Sequence, residues 1–185
     1  FNETSDQRFD NSRILGSDQV QYFTGLSWRR IFDGGFFNLT LGRNYVDYDT
    51  AQRDSLLVPI FQNKSLEAEN SLRGDLIYKL SANSELNLGF NFKLIKFNAD
   101  ILLPTFRTSF GDSLPNTALS SKSNFTKSAF YAVYHQHFFE RLFANFGIRA
   151  DYFDPLKNKF YFSPRFSASY ALSDLTNINF STGIY

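Results

Sequence analysis

No cysteine occurs anywhere in this chain, which removes disulfide frameworks, thiolate nucleophiles and cysteine-ligated zinc sites in one step. Nor is there an uninterrupted apolar run of about 18 residues, so no transmembrane helix is available. Charge of one sign is missing too: 19 Lys and Arg stand against 18 Asp and Glu, interspersed, for a net of +1. Without a basic stripe, no nucleic-acid partner is expected. The first residues, Phe1 to Asn11, have neither a basic segment nor an apolar one, so no signal peptide is read there. The expectation is a mature protein or a piece of one.

What the chain does have is aromatic residues, 23 Phe and 10 Tyr against a single Trp, set in alternating stretches. Phe and Tyr suit a pleated surface, and Tyr also suits a membrane interface. From Phe160 to Leu172, Phe162, Pro164, Phe166, Ala168, Tyr170 and Leu172 fall on one side, and Tyr161, Ser163, Arg165, Ser167 and Ser169 on the other. Side chains alternate across a strand, so this stretch has one apolar and one polar face. A transmembrane strand needs only about ten residues and alternates in this way, so a mean hydropathy of −0.30 is compatible with a membrane wall.

The same pattern recurs along the chain. Phe1 to Asp18 lacks apolar periodicity and reads as loop. A first strand, Gln19 to Ile31, places Val20, Tyr22, Leu26 and Trp28 on one face. Asp33-Gly34 follows, a two-residue hairpin signal because both central positions favour positive φ. That turn opposes Trp28 to Leu39, Leu26 to Leu41 and Tyr22 to Tyr45 on a second strand, Phe37 to Asp47, matching apolar to apolar. Tyr48 to Lys64 reads as a polar connection. A third strand, Leu66 to Leu80, and a fourth, Glu85 to Phe97, are joined through Ala82-Asn83-Ser84, which pairs Leu80 with Leu86 and Leu76 with Phe90. Asn98 to Ser123 reads as a long irregular loop, functional or disordered by its length. A fifth strand, Asn124 to Phe138, turns at Phe139-Glu140-Arg141 into a sixth, Leu142 to Phe153, pairing Phe138 with Leu142, Tyr134 with Phe146 and Ala132 with Ile148. Asp154 to Lys159 and Ser173 to Thr176 then join the sixth, seventh and eighth strands, the last being Asn177 to Tyr185.

The expected fold is therefore all-β, an antiparallel up-and-down transmembrane β-barrel wall of about eight strands, occupying 1–185 as a single partial domain. Short turns alternate with generally longer connections. With the short turns in the periplasm, the first strand starts outside and the last ends outside, whereas a complete barrel keeps both ends in the periplasm. The polar row Asn179, Ser181 and Gly183 before Tyr185 also differs from a terminal strand. The reading expects a segment of a larger barrel.

A family resemblance follows from particular residues. Phe146-Gly147-Ile148-Arg149-Ala150-Asp151-Tyr152-Phe153 resembles the Gly-Leu-Arg-x-Asp-Tyr strand of TonB-dependent outer-membrane receptors. Phe162-Ser163-Pro164-Arg165-Phe166-Ser167-Ala168-Ser169-Tyr170 resembles that family's Ser-Pro-Arg strand. Ser173-Asp174 and Phe180-Ser181-Thr182-Gly183-Ile184-Tyr185 are similar to the turn and strand that follow. The likeness is specific from about Tyr131 to Tyr185 and architectural before it. It implies a barrel of about 22 strands in the bacterial outer membrane, with an N-terminal plug, TonB as energy partner, and uptake of siderophores, cobalamin, glycans or peptides. The plug and the TonB-contacting box are absent from these residues.

Candidate site residues are few. Arg149, Asp151 and Arg165 project to the polar face of neighbouring strands, and Phe106 and Phe110 lie in the long loop. Each is a ligand-binding candidate, against the plainer reading of a lumen-wall charge ladder and loop aromatics. Inward Arg73, Asp75, Lys79 and Lys93 are read the same way, because charge in a barrel wall avoids lipid. Trp28-Arg29-Arg30 beside a turn reads as an interfacial anchor. His135-x-His137 supplies two imidazoles on one strand face, a weak metal candidate without a nearby third ligand, against a hydrogen-bonded pair facing the lumen. No Ser or Asp stands in a triad pattern with them, so neither catalysis nor a cofactor is expected. Two other readings stay open: a small closed eight-stranded barrel of structural or adhesive role, and a soluble β-barrel or sandwich that binds a ligand. Closure between first and last strands separates the first of these; an apolar face hidden in a core marks the second.

Overall fold

In the computed structural model, residues 4–12 and 14–184 are described, with the side chains of Arg8, Asn11, Phe106 and Leu114 outside that set. The elements are a helix α1 (Ser5–Ser12) and strands β1 (Gly16–Phe32), β2 (Gly35–Arg53), β3 (Pro59–Ser81), β4 (Ser84–Leu103), β5 (Phe106–Arg107), β6 (Ser113–Leu114), β7 (Thr117–Phe138), β8 (Leu142–Phe153), β9 (Phe160–Ser173) and β10 (Thr176–Gly183). Eight of the strands make one up-and-down sheet in the order β1-β2-β3-β4-β7-β8-β9-β10, open at β1 and β10, and β5 pairs β6 separately. Tyr185, expected as the last strand residue, lies outside the described residues.

The chain divides into two units. The first, Phe1–Thr24, Arg43–Glu69 and Ile95–Asn124, holds the parts that alternation alone did not reveal. The segment expected as loop before residue 19 contains α1, started by a capping box: Gln7 N–H donates to Thr4 Oγ1 at 3.4 Å and Thr4 N–H to Gln7 Oε1 at 2.9 Å. The expected connection Tyr48 to Lys64 shrinks to Asp54–Val58, because pairing continues with polar partners: Lys64 Nζ lies 3.4 Å from Asp49 and Gln62 Nε2 donates to Asp49 at 3.4 Å. Asp54 Oδ1 then closes the tip by accepting from Leu56 N–H and Val58 N–H, both at 2.9 Å. Likewise β4 and β7 run well into the expected 98–123 loop, with Ser120 Oγ donating to Asp100 Oδ1 at 2.5 Å, and the remainder folds into the β5–β6 hairpin. At the base of the first hairpin's far end, Ser17 and Thr50 hydroxyls meet at 3.1 Å and Tyr22 stacks on Tyr45 at 5.0 Å, the register that Asp33-Gly34 dictates.

The second unit, Gly25–Gly42, Asn70–Leu94 and Phe125–Tyr185, contains all four short turns. Asp33-Gly34 forms the expected two-residue turn, but only one of its two central residues takes the positive φ expected of both: Gly34 does, at 82°, a conformation open to glycine and costly for a side chain, and Asp33 does not. Ala82-Asn83 is one residue shorter than expected, since Ser81 and Ser84 meet through their hydroxyls at 2.7 Å and so act as the flanking pair. Phe139-Glu140-Arg141 is as expected, and so is its register: Phe138 opposes Leu142, Tyr134 opposes Phe146 and Ala132 opposes Ile148. At Asp174-Leu175 the ladder shifts by one residue between Thr176 and Asn177, which keeps Ile178, Phe180 and Thr182 opposite Tyr170, Ala168 and Phe166. Backbone bonds from Lys79 to Gly34, His137 to Asn83 and Ala171 to Arg141 set these turns along one edge. In the connection opposite them, Lys159 Nζ and the Tyr152 hydroxyl both donate to Asp154 Oδ1, at 2.6 and 3.1 Å, which holds the Asp154 carboxyl below its usual range.

These registers put every even-numbered apolar residue of β7 to β10 on one face. Nothing in the second unit covers that face: Phe146, Ile148, Phe162, Tyr170, Ile178 and Phe180 are all exposed, Phe162 by 63%. Among the described residues the only buried apolar side chains are Val46, Ala51, Ala68, Ala99 and Ala144, so no core of large residues exists. The register can be checked in this cysteine-free chain. Phe180→Cys with Ala168→Cys should form a disulfide on mild oxidation, since opposed Cα atoms lie about 4.5–5.5 Å apart, and Phe180→Cys with Ser169→Cys should not; the reverse result would contradict the pairing.

Candidate functional site on the charged face

The polar face of the second unit is built around Tyr131 of β7. Its hydroxyl donates to Asp75 Oδ1 on β3 at 2.8 Å, reaching across the intervening strand β4. Glycine makes the reach possible: a Cβ at Gly89 would sit 2.3 Å from the Tyr131 ring. On one side, Arg73 Nε and Nη2 donate to Asp75 at 2.8 and 3.2 Å. On the other, Arg149, directly opposite Tyr131 in the β7–β8 ladder, donates from Nε and Nη2 to Asp151, both at 2.7 Å. Both pairs join residues two apart on one strand, where period-2 geometry brings the side chains to the same face. The bidentate fork fixes each guanidinium in place, although partial exposure keeps each pair's contribution to stability small.

Beside Tyr131 the surface dips into a cleft of about 420 Å³. Arg73, Asn91, Lys93, Lys127, Arg149 and Asp151 contribute to its walls. Of the expected candidates, Arg149 and Asp151 thus meet in one place. Arg165 does not line the cleft; it lies between Gly147 and Gly183 in the ladders of β9. Phe110 belongs to the first unit, 93% exposed in the tip that joins β5 to β6, and the Phe106 side chain lies outside the described residues.

The two histidines line a separate cleft of about 430 Å³ with Glu85, Asn87 and Phe143. His135 Nδ1 lies 2.5 Å from Asn145 Oδ1, an orientation set by Asn145 Nδ2 donating to Ser167 at 2.9 Å. With the Asn87 amide donating to Leu86 O and Glu85 Oε1, its oxygen accepts from His135 Nε2 at 2.9 Å. Both ring nitrogens are therefore engaged, and the His137 ring packs at 4.6 Å on Phe143. Among the described residues no group of three His, Cys, Asp or Glu is placed to hold a metal ion.

Sequence reading missed Gly89, Asn91 and Lys127. The signal for Gly89 was a small residue inside an apolar-polar alternation, but its meaning depends on a tyrosine 42 positions away in sequence, at 131. The chain matches no protein-family model, and no curated protein matches it.

Removing the Tyr131 hydroxyl with Tyr131→Phe should cost about 1.5 kcal/mol, a hydrogen bond to a charged group. Gly89→Val should cost more, about 2–3 kcal/mol, by forcing the ring off the sheet. Urea unfolding of both variants in the medium that folds the chain checks this, and equal stability of Gly89→Val and the parent would contradict the packing.

Proposed function

We propose that the chain is part of the wall of an outer-membrane β-barrel of the TonB-dependent receptor type, a transporter segment rather than an enzyme. The observation that carries this reading is the uncovered apolar face. Fully burying a Phe, Leu or Ile side chain is worth about 1.5–3 kcal/mol, so the six exposed residues named above leave on the order of 10 kcal/mol unclaimed, as much as many domains have in total. Lipid supplies that burial. The row from Phe162 to Leu172 is roughly 33 Å along the strand and about 23 Å when tilted by about 45°, which fits an apolar band about 25 Å tall. A soluble barrel would turn the same row inward.

Short turns on one edge and longer connections elsewhere agree with periplasmic turns and extracellular loops. The open sheet, with every residue of β1 and β10 exposed, favours a larger barrel over a closed eight-stranded one, since a membrane strand needs a partner on both sides. In that larger barrel of about 22 strands, the charged face lines the lumen against a plug, and TonB supplies energy for uptake of a small-molecule, glycan or peptide cargo. On this reading the Asp54–Val58 tip and the β5–β6 hairpin, with the exposed Phe110 at its end, are the parts that would meet cargo from outside.

Refolding with and without micelles, followed by circular dichroism and by size, tests the reading. Sheet content should appear only with micelles. A folded, monodisperse monomer in plain buffer would overturn it.

A further inference from the structure

On the polar face of the second unit, His135 sits in a row of side chains that crosses four strands. Asn145 opposes it on β8, Ser167 opposes Asn145 on β9, and Asn87 reaches it from β4. Each ring nitrogen meets an amide oxygen: Nδ1 meets that of Asn145 at 2.5 Å, and Nε2 meets that of Asn87 at 2.9 Å. An amide oxygen only accepts, so the row is complete when both nitrogens carry hydrogen and the ring is an imidazolium. A neutral ring has one N–H. One of the two amides must then turn over and present its amino group to the bare nitrogen.

The two amides are not equal in this respect. Asn87 donates to Leu86 O and Glu85 Oε1, each at 3.2 Å; turned over, it would set its oxygen against a carbonyl and a carboxylate, neither of which donates. Asn145 donates from Nδ2 to the Ser167 hydroxyl at 2.9 Å, and a hydroxyl donates as well as accepts. Turned over, Asn145 retains that hydrogen bond with its direction reversed. We infer that His135, Asn145 and Ser167 form a pH-sensitive relay. The Nδ1–H bond breaks and its proton goes to water, Nε2 keeps its hydrogen for Asn87, and the Asn145 amide and the Ser167 hydroxyl reverse together. With the ring charged, Ser167 accepts from Asn145 and its own O–H is released to the polar face; with the ring neutral, Asn145 holds that O–H. A proton gained on β7 thus becomes a hydrogen-bond donor gained on β9. The titratable and charged groups around the ring are Glu85 on β4, His137 on β7 and Lys79 on β3, which share its cleft. Strand β8 meets it with Asn145 and Phe143, and β9 carries Ser167 two residues from Arg165. The relay goes beyond the lipid-wall reading and does not depend on it, because every member lies on the polar face.

The test uses the full chain in whichever medium folds it, micelles or buffer, so that failure of the membrane reading and failure of the relay stay distinct. Imidazole nitrogen and side-chain amide signals are followed by nuclear magnetic resonance from about pH 4 to about pH 9, a range that spans the ordinary histidine value. His137→Gln, a change at an exposed position outside the row, leaves His135 as the single imidazole. Expected as pH rises is a downfield move of Nδ1 by tens of ppm with little change at Nε2. The Asn145 amide should shift with the same midpoint while the Asn87 amide stays in place. Asn145→Asp puts a carboxylate that only accepts at the turning point of the relay, and it should invert the result, with Nδ1 retaining hydrogen and Nε2 losing it. Three results would overturn the proposal: a neutral ring with hydrogen on Nδ1 while Asn145 is present, an Asn87 amide that moves in place of Asn145, or a ring that stays in one state over the whole range while the sheet persists.

Discussion

A strand has two faces and a sheet must place both. In this chain the placement is forced by register: opposed pairs from β7 to β10 keep even numbers together, so Phe, Ile and Tyr accumulate on one face and Arg, Asp, Asn and Ser on the other. A slip of one residue would invert the arrangement. The one irregularity in the β9–β10 ladder, next to Thr176, is where the alternation is restored after a tight turn. The remaining features follow from that separation. The apolar face asks for an environment that the second unit does not provide, and the polar face collects charges that must satisfy one another.

On the polar face, satisfaction comes from short local pairs tied together by one long reach. Arg73–Asp75 and Arg149–Asp151 are each made within a single strand, and alone they would be separate surface ion pairs of little energetic weight. Tyr131 lies beside Arg149 in the ladder and bonds to Asp75 over Gly89, so three strands are linked by one side chain whose path depends on a missing Cβ. A cleft opens beside these pairs, and Asn91 in its wall has a buried Oδ1 with no donor among the described residues.

Much of the sheet was legible in the sequence, and the reasons are local. Asp33-Gly34 marks the place and length of its own turn, though only Gly34 takes positive φ, and two-residue periodicity fixes which side chains oppose, so pairs such as Tyr134–Phe146 could be written down from the chain alone. Strand length was not legible. Beyond the apolar rows the ladder continues through Asp49, Gln62, Lys64, Asp100 and Ser120, whose polar character looks like loop but whose backbones pair equally well. The helix at Ser5–Ser12 was also hidden, because eight residues give little periodicity; its mark was the Thr4-x-x-Gln7 capping box. For the charged cluster, Arg149 and Asp151 could be named individually. That Tyr131, Gly89 and Asp75 form one unit needed the strand order, which brings β7 beside β4 across the segment holding β5 and β6.

The central claim is that the apolar face meets lipid, and the single tryptophan offers a direct reading of it. Trp28 lies on the apolar face of β1 beside Phe37, 52% exposed and close to the Asp33-Gly34 turn. Its fluorescence should be measured in vesicles whose lipids carry bromine at a series of acyl-chain depths. The account predicts a blue-shifted emission quenched most strongly by bromines near the headgroup region, as an interfacial anchor requires. Emission that stays water-like and unquenched at every depth, in a chain that is folded, would contradict it.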